Sequence, residues 1–204
     1  MNIGQINFET GRLGQHLVQI ASNTNVKTII EVGTWNGLGS TRCILEGLKG
    51  RDETSYKFLS FECSPDMYPE AIKNNKENLG DNFDIIFGKL ADEEKLSGWF
   101  DVNSLTDEQR GWLIQDYNWM KNVPNAFDKI PETIDLLVLD GGEYSTYLEW
   151  NLLKDRFVYC ILDDTMALKC KKIREEVLSN SNKYEIIDDN TQERYGYLVF
   201  KKLC

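Results

Sequence analysis

The chain has 204 residues, 41% hydrophobic, 27% charged and 11% aromatic, which is the composition of one ordinary soluble domain spanning 1–204 with a sizeable core, not of a disordered segment. Thirty-three acidic against 23 basic residues give a formal charge of −10, which repels a phosphate backbone and argues against nucleic acid as a partner. The start, MNIGQINFETGRLG, lacks the basic and apolar regions of a signal peptide, no apolar run reaches membrane-span length, and the five cysteines show neither a CxxC pair nor a zinc spacing, so the reading is a cytoplasmic protein with reduced thiols and no membrane partner.

Leu13, Leu17 and Ile20 recur at spacings of four and three, which predicts an amphipathic helix over 9–23, expected to cover a ligand cleft. The chain then alternates: strand 27–32, helix 38–48, strand 57–61, helix 66–78, strand 83–87, strand 134–139, helix 145–153, strand 157–162, helix 168–179. Such alternation predicts a parallel sheet with right-handed crossovers. YEIIDD at 184–189 and YGYLVFKK at 195–202 have only the turn-like NTQER between them, so they form an antiparallel edge hairpin. The short basic cluster Lys169, Lys171, Lys172 and Arg174 reads as the solvated start of a helix.

Residues 91–130 break the alternation and form an insertion holding Trp99, Phe100, Trp112, Tyr117, Trp119 and Phe127, with a helix start at Ser104 to Glu108. An insertion between the third and fourth strands opens at the carboxyl ends of the strands, where such sheets bind ligands. It is either an acceptor-facing cover or a helical hairpin whose aromatics fill a private core, and both can hold at once. As a cover, its tryptophans would stack on an acceptor and Asp92 or Asp116 would accept hydroxyls, without contact to the cofactor; otherwise Tyr144, Arg194 and Tyr195 would hold the acceptor.

The most specific stretch is IIEVGTWNGLGS at 29–40, an apolar run closing on Glu31 and followed by Gly33, Gly37 and Gly39 before a helix opening near Ser40. Glycines let backbone approach a ligand closely, and a helix start offers free N–H groups. With Glu62 ending the next strand as a partner for ribose hydroxyls, the pattern points to a nucleoside-containing cofactor. The spacing departs from the dinucleotide G-x-G-x-x-G, with Trp35 where a middle glycine would stand, which disfavours a NAD-dependent enzyme. It resembles motif I of class I S-adenosylmethionine-dependent methyltransferases in its E-x-G-x-x-x-G form, and FECSPDMYPEAIKNN resembles that family's acidic second strand and following helix. The resemblance implies a Rossmann-like, doubly wound seven-stranded α/β sheet, parallel with an antiparallel C-terminal hairpin strand. It implies S-adenosylmethionine held by Glu31, Gly33, Thr34, Trp35, Gly37 and Ser40, by Glu62 and Cys63 at the ribose, by Gly88, Lys89 and Leu90 beside the adenine, and by Asp140.

IDLLVLDGGEYSTYLEW puts Asp140 at the end of the fourth strand, and RFVYCILDDT puts Asp163 and Asp164 at the end of the fifth. Adjacent strand ends bring these acids together, and converging like charges require neutralisation. They are ligands for a hard divalent ion or caps of the following helices. Here the chain resembles metal-dependent O-methyltransferases of the catechol and macrolide-sugar kind, which implies Mg²⁺ or Mn²⁺ on Asp140, Asp163 and Asp164 and a metal-aimed acceptor hydroxyl. Glu143 is the candidate general base or else a helix N-terminal carboxylate, Lys169 is the alternative base, and His16 is structural. The expected activity is methyl transfer to a hydroxyl of a sugar or glycan. The alternatives are a catechol-like or other small polyol acceptor and a non-catalytic nucleotide-binding module. Expected partners are the small-molecule or glycan acceptor, with a homodimer or attachment to a glycan-synthesis protein also open.

Overall fold

The computed structural model describes residues 5–203, so Met1 to Gly4 and Cys204 lie outside the described residues. Seven strands form one sheet: β1 (Thr28–Val32), β2 (Lys57–Glu62), β3 (Phe83–Phe87), β4 (Ile134–Leu139), β5 (Phe157–Asp163), β6 (Tyr184–Asn190) and β7 (Tyr197–Lys202). Their order is β3-β2-β1-β4-β5-β7-β6. The first five pair in parallel, and β7 returns antiparallel between β5 and β6.

Residues of β1, β4 and β5 are mostly apolar on both faces because both faces of the sheet are covered. Successive side chains point to opposite faces. Ile29, Leu136, Val138 and Ile161 meet Leu13, Leu17 and Ile44 on one side, where helices α1 (Arg12–Ser22), α2 (Ser40–Leu48) and α3 (Met67–Asn74) lie. Ile30, Leu137, Leu139 and Leu162 meet Trp150 and Ile173 on the other, under α5 (Thr146–Leu153) and α6 (Leu168–Leu178). Helix α1 thus packs on the sheet face beside α2, and its first N–H groups, Arg12 and Leu13, donate to Glu193 of the β6–β7 turn. It does not cover the cleft; Gln5 and Ile6, just before it, reach that edge instead.

The insertion carries α4 (Asp107–Lys121), started by a capping box in which Thr106 and Gln109 satisfy each other's backbone N–H groups. Leu96, Leu105, Met120 and Tyr144 form a satellite core with half-buried Phe100 and Leu113. Trp99 lies at the edge of this core, edge-on to Phe100 with ring centroids 5.0 Å apart, and its Nε1 donates to Tyr144 O at 3.0 Å. No helix among the described residues is long and apolar enough to cross a membrane, and Cys43, Cys63, Cys160 and Cys170 are free thiols.

Register places the site. Val32 pairs with Phe61 and Leu139, and Leu139 with Leu162, so Gly33, Glu62, Asp140 and Asp163 emerge together at the carboxyl edge, where strand order reverses between β1 and β4. Gly33 has φ of 93°, and a Cβ there would lie 2.1 Å from Asp140 O. Gly33→Ala is therefore expected to lower stability to urea by at least about 2 kcal/mol, since β1 and β4 must part to admit the methyl. Gly111, inside α4 with open space around it, gives the opposite sign: Gly111→Ala should stabilise by about 0.5–1 kcal/mol. Equal effects at the two positions would contradict the assigned packing.

Candidate active site

The turn after β1 is held in shape by carboxylates. Trp35 has φ of 52° and Gly37 of 72°. Glu62 fixes this turn by accepting Trp35 N–H at 2.6 Å on one oxygen and Ser64 N–H at 2.7 Å on the other. Each oxygen keeps a second lone pair for a ligand. Glu31 is fully buried behind the turn, where Oε2 accepts Thr41 Oγ1 at 2.7 Å and Ser60 Oγ at 2.5 Å, while Oε1 has no hydrogen-bond partner. Gly37 faces away from the cleft, toward Asn75, whose Nδ2 would lie 2.2 Å from a Cβ. Gly33 and Trp35 line the cleft, and Thr34 and Ser40 line its more open outer part.

A cavity of about 340 Å³ opens beside Glu62, with Cys63, Lys89, Leu90 and Asp140 in its wall. Trp112, Asp116, Trp119 and Met120 of α4 form its roof. The insertion therefore covers the Glu62 and Lys89 side, where the sequence reading expected a cover that leaves cofactor contacts alone. Trp112, exposed by 44%, faces this cavity. Tyr144 is buried and donates its hydroxyl to Gln109 O at 2.7 Å, so it does not face an acceptor. Asp92 caps its own 3-10 turn at the surface.

Burial makes these acids reluctant to ionise. It pushes Glu62 up to about 7, Glu149 to about 8 and Asp116 to about 6, with their neighbours' charges adding to the rise. Glu149 Oε2, in the cavity wall, has no hydrogen-bond partner. An apolar floor of Val32, Phe61 and Leu90, a strand-end Glu62 with free lone pairs and an unpaired buried acceptor fit the nucleoside part of S-adenosylmethionine.

Asp140, Asp163 and Asp164 do converge, offering one oxygen each within 4.8 Å of the others. Asp164 takes a left-handed φ of 54° and leaves Oδ1 unpartnered. Two of their three charges, however, are already offset. Lys169 Nζ lies 2.6 Å from Asp140 Oδ1 and 2.8 Å from Asp164 Oδ2, and Arg194 Nη2 lies 2.9 Å from Asp163 Oδ2. The arrangement does not fit a divalent ion, because an ammonium stands between the carboxylates it would bridge. Lys169 is only 6% exposed, which corrects its reading as part of a solvated helix start; Lys171 and Lys172 are the exposed ones. Its spacing of four and eight from Ile173 and Val177, both buried, was the signal that put it on the inner face of α6.

Glu143 lies in the cavity wall and faces the backbone N–H groups of Leu168 and Lys169 at the start of α6. Burial raises its pKa and Lys169 pulls it back. His16 pairs with Asp188 at 2.8 Å beside Arg12 and Tyr197, a structural cluster outside the cleft. Glu149 was not found in the sequence, where its apolar neighbours Leu148 and Trp150 conceal it.

The strand order and overall fold match those of solved methyltransferases. The chain has the methyltransferase fold. It is similar to a methyltransferase from Geobacter sulfurreducens (11% identity, all of this chain and 83% of that one, TM-score 0.60). It is similar also to an O-methyltransferase from Bacillus cereus in complex with SAH (16%, 93% and 80%, 0.57) and to a SAH-bound methyltransferase from Podospora anserina (14%, 94% and 78%, 0.58). No protein-family model and no curated protein matches the sequence.

The buried acids give a pH test. Glu62 and Glu149 ordinarily ionise near 4.5 and Asp116 near 3.8, so between those values and about 7, 8 and 6 the folded chain holds protons that the unfolded chain has lost. Their contribution to stability is full below those ordinary values and is lost progressively as pH rises from there to about 6, 7 and 8. The ligand-free protein should melt at least about 3 °C higher at pH 6 than at pH 8, a difference that Glu149→Gln reduces. A steady fall in Tm from pH 8 to pH 6 would contradict the burial of these acids.

Proposed function

We propose that the chain is an S-adenosylmethionine-dependent O-methyltransferase that methylates a hydroxyl of a small-molecule acceptor. A sugar or glycan hydroxyl is the preferred class, on the resemblance of LDGGEYSTYLEW and LDDT to enzymes of sugar modification. The observation that carries the reading is the Glu62 clamp: one buried strand-end carboxylate holds the glycine turn through Trp35 N–H and still faces the cavity.

When bound, S-adenosylmethionine supplies a methyl group on a positively charged sulfur. Glu62 would hold the ribose hydroxyls with its remaining lone pairs. Glu149 Oε2 would take a donor from the adenosine, and Trp112 and Trp119 would cover its flat surface. Gly33 and Asp140, which border both the cavity and its outer part, mark the boundary between cofactor and acceptor. Glu143 would accept the acceptor's hydroxyl proton, since a carboxylate lifted by burial is a stronger base than one in water. Once it has accepted the proton its charge is gone, so activity should fall as pH drops through its raised pKa. Lys169 of α6 and Arg194 of the β6–β7 turn keep the acceptor side from repelling an oxygen nucleophile. No step requires a metal.

The test is incubation with S-adenosylmethionine and a panel of sugars, catechols and polyols, following S-adenosylhomocysteine. Glu62→Gln should weaken cofactor binding by about 1.5–3 kcal/mol, while Glu143→Gln should leave binding unchanged and lower kcat by about a hundredfold. Trp112→Ala should weaken cofactor binding with little loss of stability, whereas Trp99→Ala should chiefly lower Tm. Cofactor binding without turnover on any acceptor would favour a nucleotide-binding module, and no binding at all would end the reading.

A further inference from the structure

Neighbouring parallel strands deliver Asp140 from β4 and the Asp163–Asp164 pair from β5 to one spot, so the fold has to supply positive charge there. It does so from two separate elements. Lys169 sits one residue into α6 on the buried face shared with Ile173 and Val177, and its Nζ spans Asp140 and Asp164 at 2.6 and 2.8 Å. Arg194, in the β6–β7 turn at a left-handed φ of 56°, reaches Asp163 with Nε at 3.4 Å and Nη2 at 2.9 Å. That turn is fixed to the end of β5 by Thr165 N–H and Met166 N–H, which donate to Gly196 O and Tyr195 O at 3.0 and 2.8 Å. Neither cation arrives by chance of a surface rotamer: one is buried with its helix, the other is carried by a turn bound to the strand it serves.

A hard divalent ion bridging Asp140 and Asp164 would need the place that the ammonium takes, and would meet its charge at short range. We propose that Lys169 is a built-in cation standing in for a divalent metal among Asp140, Asp163 and Asp164, so that this edge of the sheet is organised by the chain's own lysine and arginine. The inference rests on the proposed methyl transfer only in treating this edge as the acceptor side. Lys169 is on this account a positioning residue: it holds two carboxylates apart from each other's charge and takes no part in bond changes.

Metal binding is the readout, since a merely structural lysine would not govern it. The full chain is stripped with chelator and titrated with Mn²⁺, following the free-ion paramagnetic signal and, separately, Tm. The wild type is expected to bind no Mn²⁺ at micromolar concentration and to melt at the same temperature in chelator and in millimolar Mn²⁺. Lys169→Met, which empties the central position and leaves the three acids, is expected to lose thermal stability and to bind Mn²⁺ at least about tenfold more tightly than the wild type, with Tm restored by the ion. One equivalent of tightly held Mn²⁺ in the wild type, released by Asp140→Asn, would overturn the proposal. So would a folded Lys169→Met that gains no affinity. The wild-type titration decides the metal question without any variant, and calorimetry with S-adenosylmethionine on the same samples reports separately on the cofactor reading.

Discussion

Two backbone N–H groups, from Trp35 and Ser64, converge on the single carboxylate of Glu62, and the cleft depends on that convergence. The turn after β1 contains three residues with positive φ among its first five, Gly33, Trp35 and Gly37, a conformation that opposes itself unless something outside the turn holds it. The strand ends provide the hold. Glu62 leaves β2 next to the turn, and Asp140 O lies against Gly33 so closely that only hydrogen fits on its α-carbon. The same carboxylate that shapes the backbone also borders the cavity, so a ligand that uses its remaining lone pairs reports on the integrity of the whole turn.

A second consequence of the topology is crowding of negative charge. Glu31, Glu62, Asp140, Asp163 and Asp164 all come from strand ends that share one edge, and Asp116, Glu143 and Glu149 join them from the insertion and the β4–α5 region. The chain meets this in three ways. Hydroxyls and backbone N–H groups solvate Glu31 and Glu62. Lys169 and Arg194 offset two of the three charges on the aspartates. In the cavity itself burial shifts Glu149 and Asp116 toward their protonated forms, so that part of the charge is never fully developed at neutral pH. A cavity lined by such acids and by tryptophans favours a ligand with many hydrogen-bond donors and a flat face.

The sheet was legible because its central strands are buried on both sides: short, mostly apolar runs with an acid at or just beyond their carboxyl ends leave little choice of element. Helix ends were less so. Helix α3 stops at Asn74 rather than 78 because Asn75 turns its amide to Gly37 O and Ala71 O, a contact between elements that no local pattern announces. The insertion divided two ways for a related reason. Trp112, Asp116 and Trp119 lie on one face of α4 toward the cavity, while Leu113 and Met120 turn into the satellite core, so both faces carry apolar side chains and amphipathic periodicity is lost. The three aspartates could be placed from strand ends alone. Their counter-ions could not, because Lys169 looks like one of four solvated bases until its helical phase with Ile173 and Val177 is considered, and Arg194 comes from a turn far along the chain.

On the proposed function, the Glu62 turn, the strand ends and the α4 roof form one cofactor-binding unit. Hydrogen–deuterium exchange of the full chain with and without S-adenosylmethionine tests it most directly, because it locates binding without presuming an acceptor. Added protection is expected in three separate segments, 33–40, 62–64 with 88–90, and 112–120, and none in the His16–Asp188 region. Protection confined to the first two, with 112–120 unchanged, would contradict the role given to the insertion, and absence of protection at 33–40 would contradict the cofactor site itself.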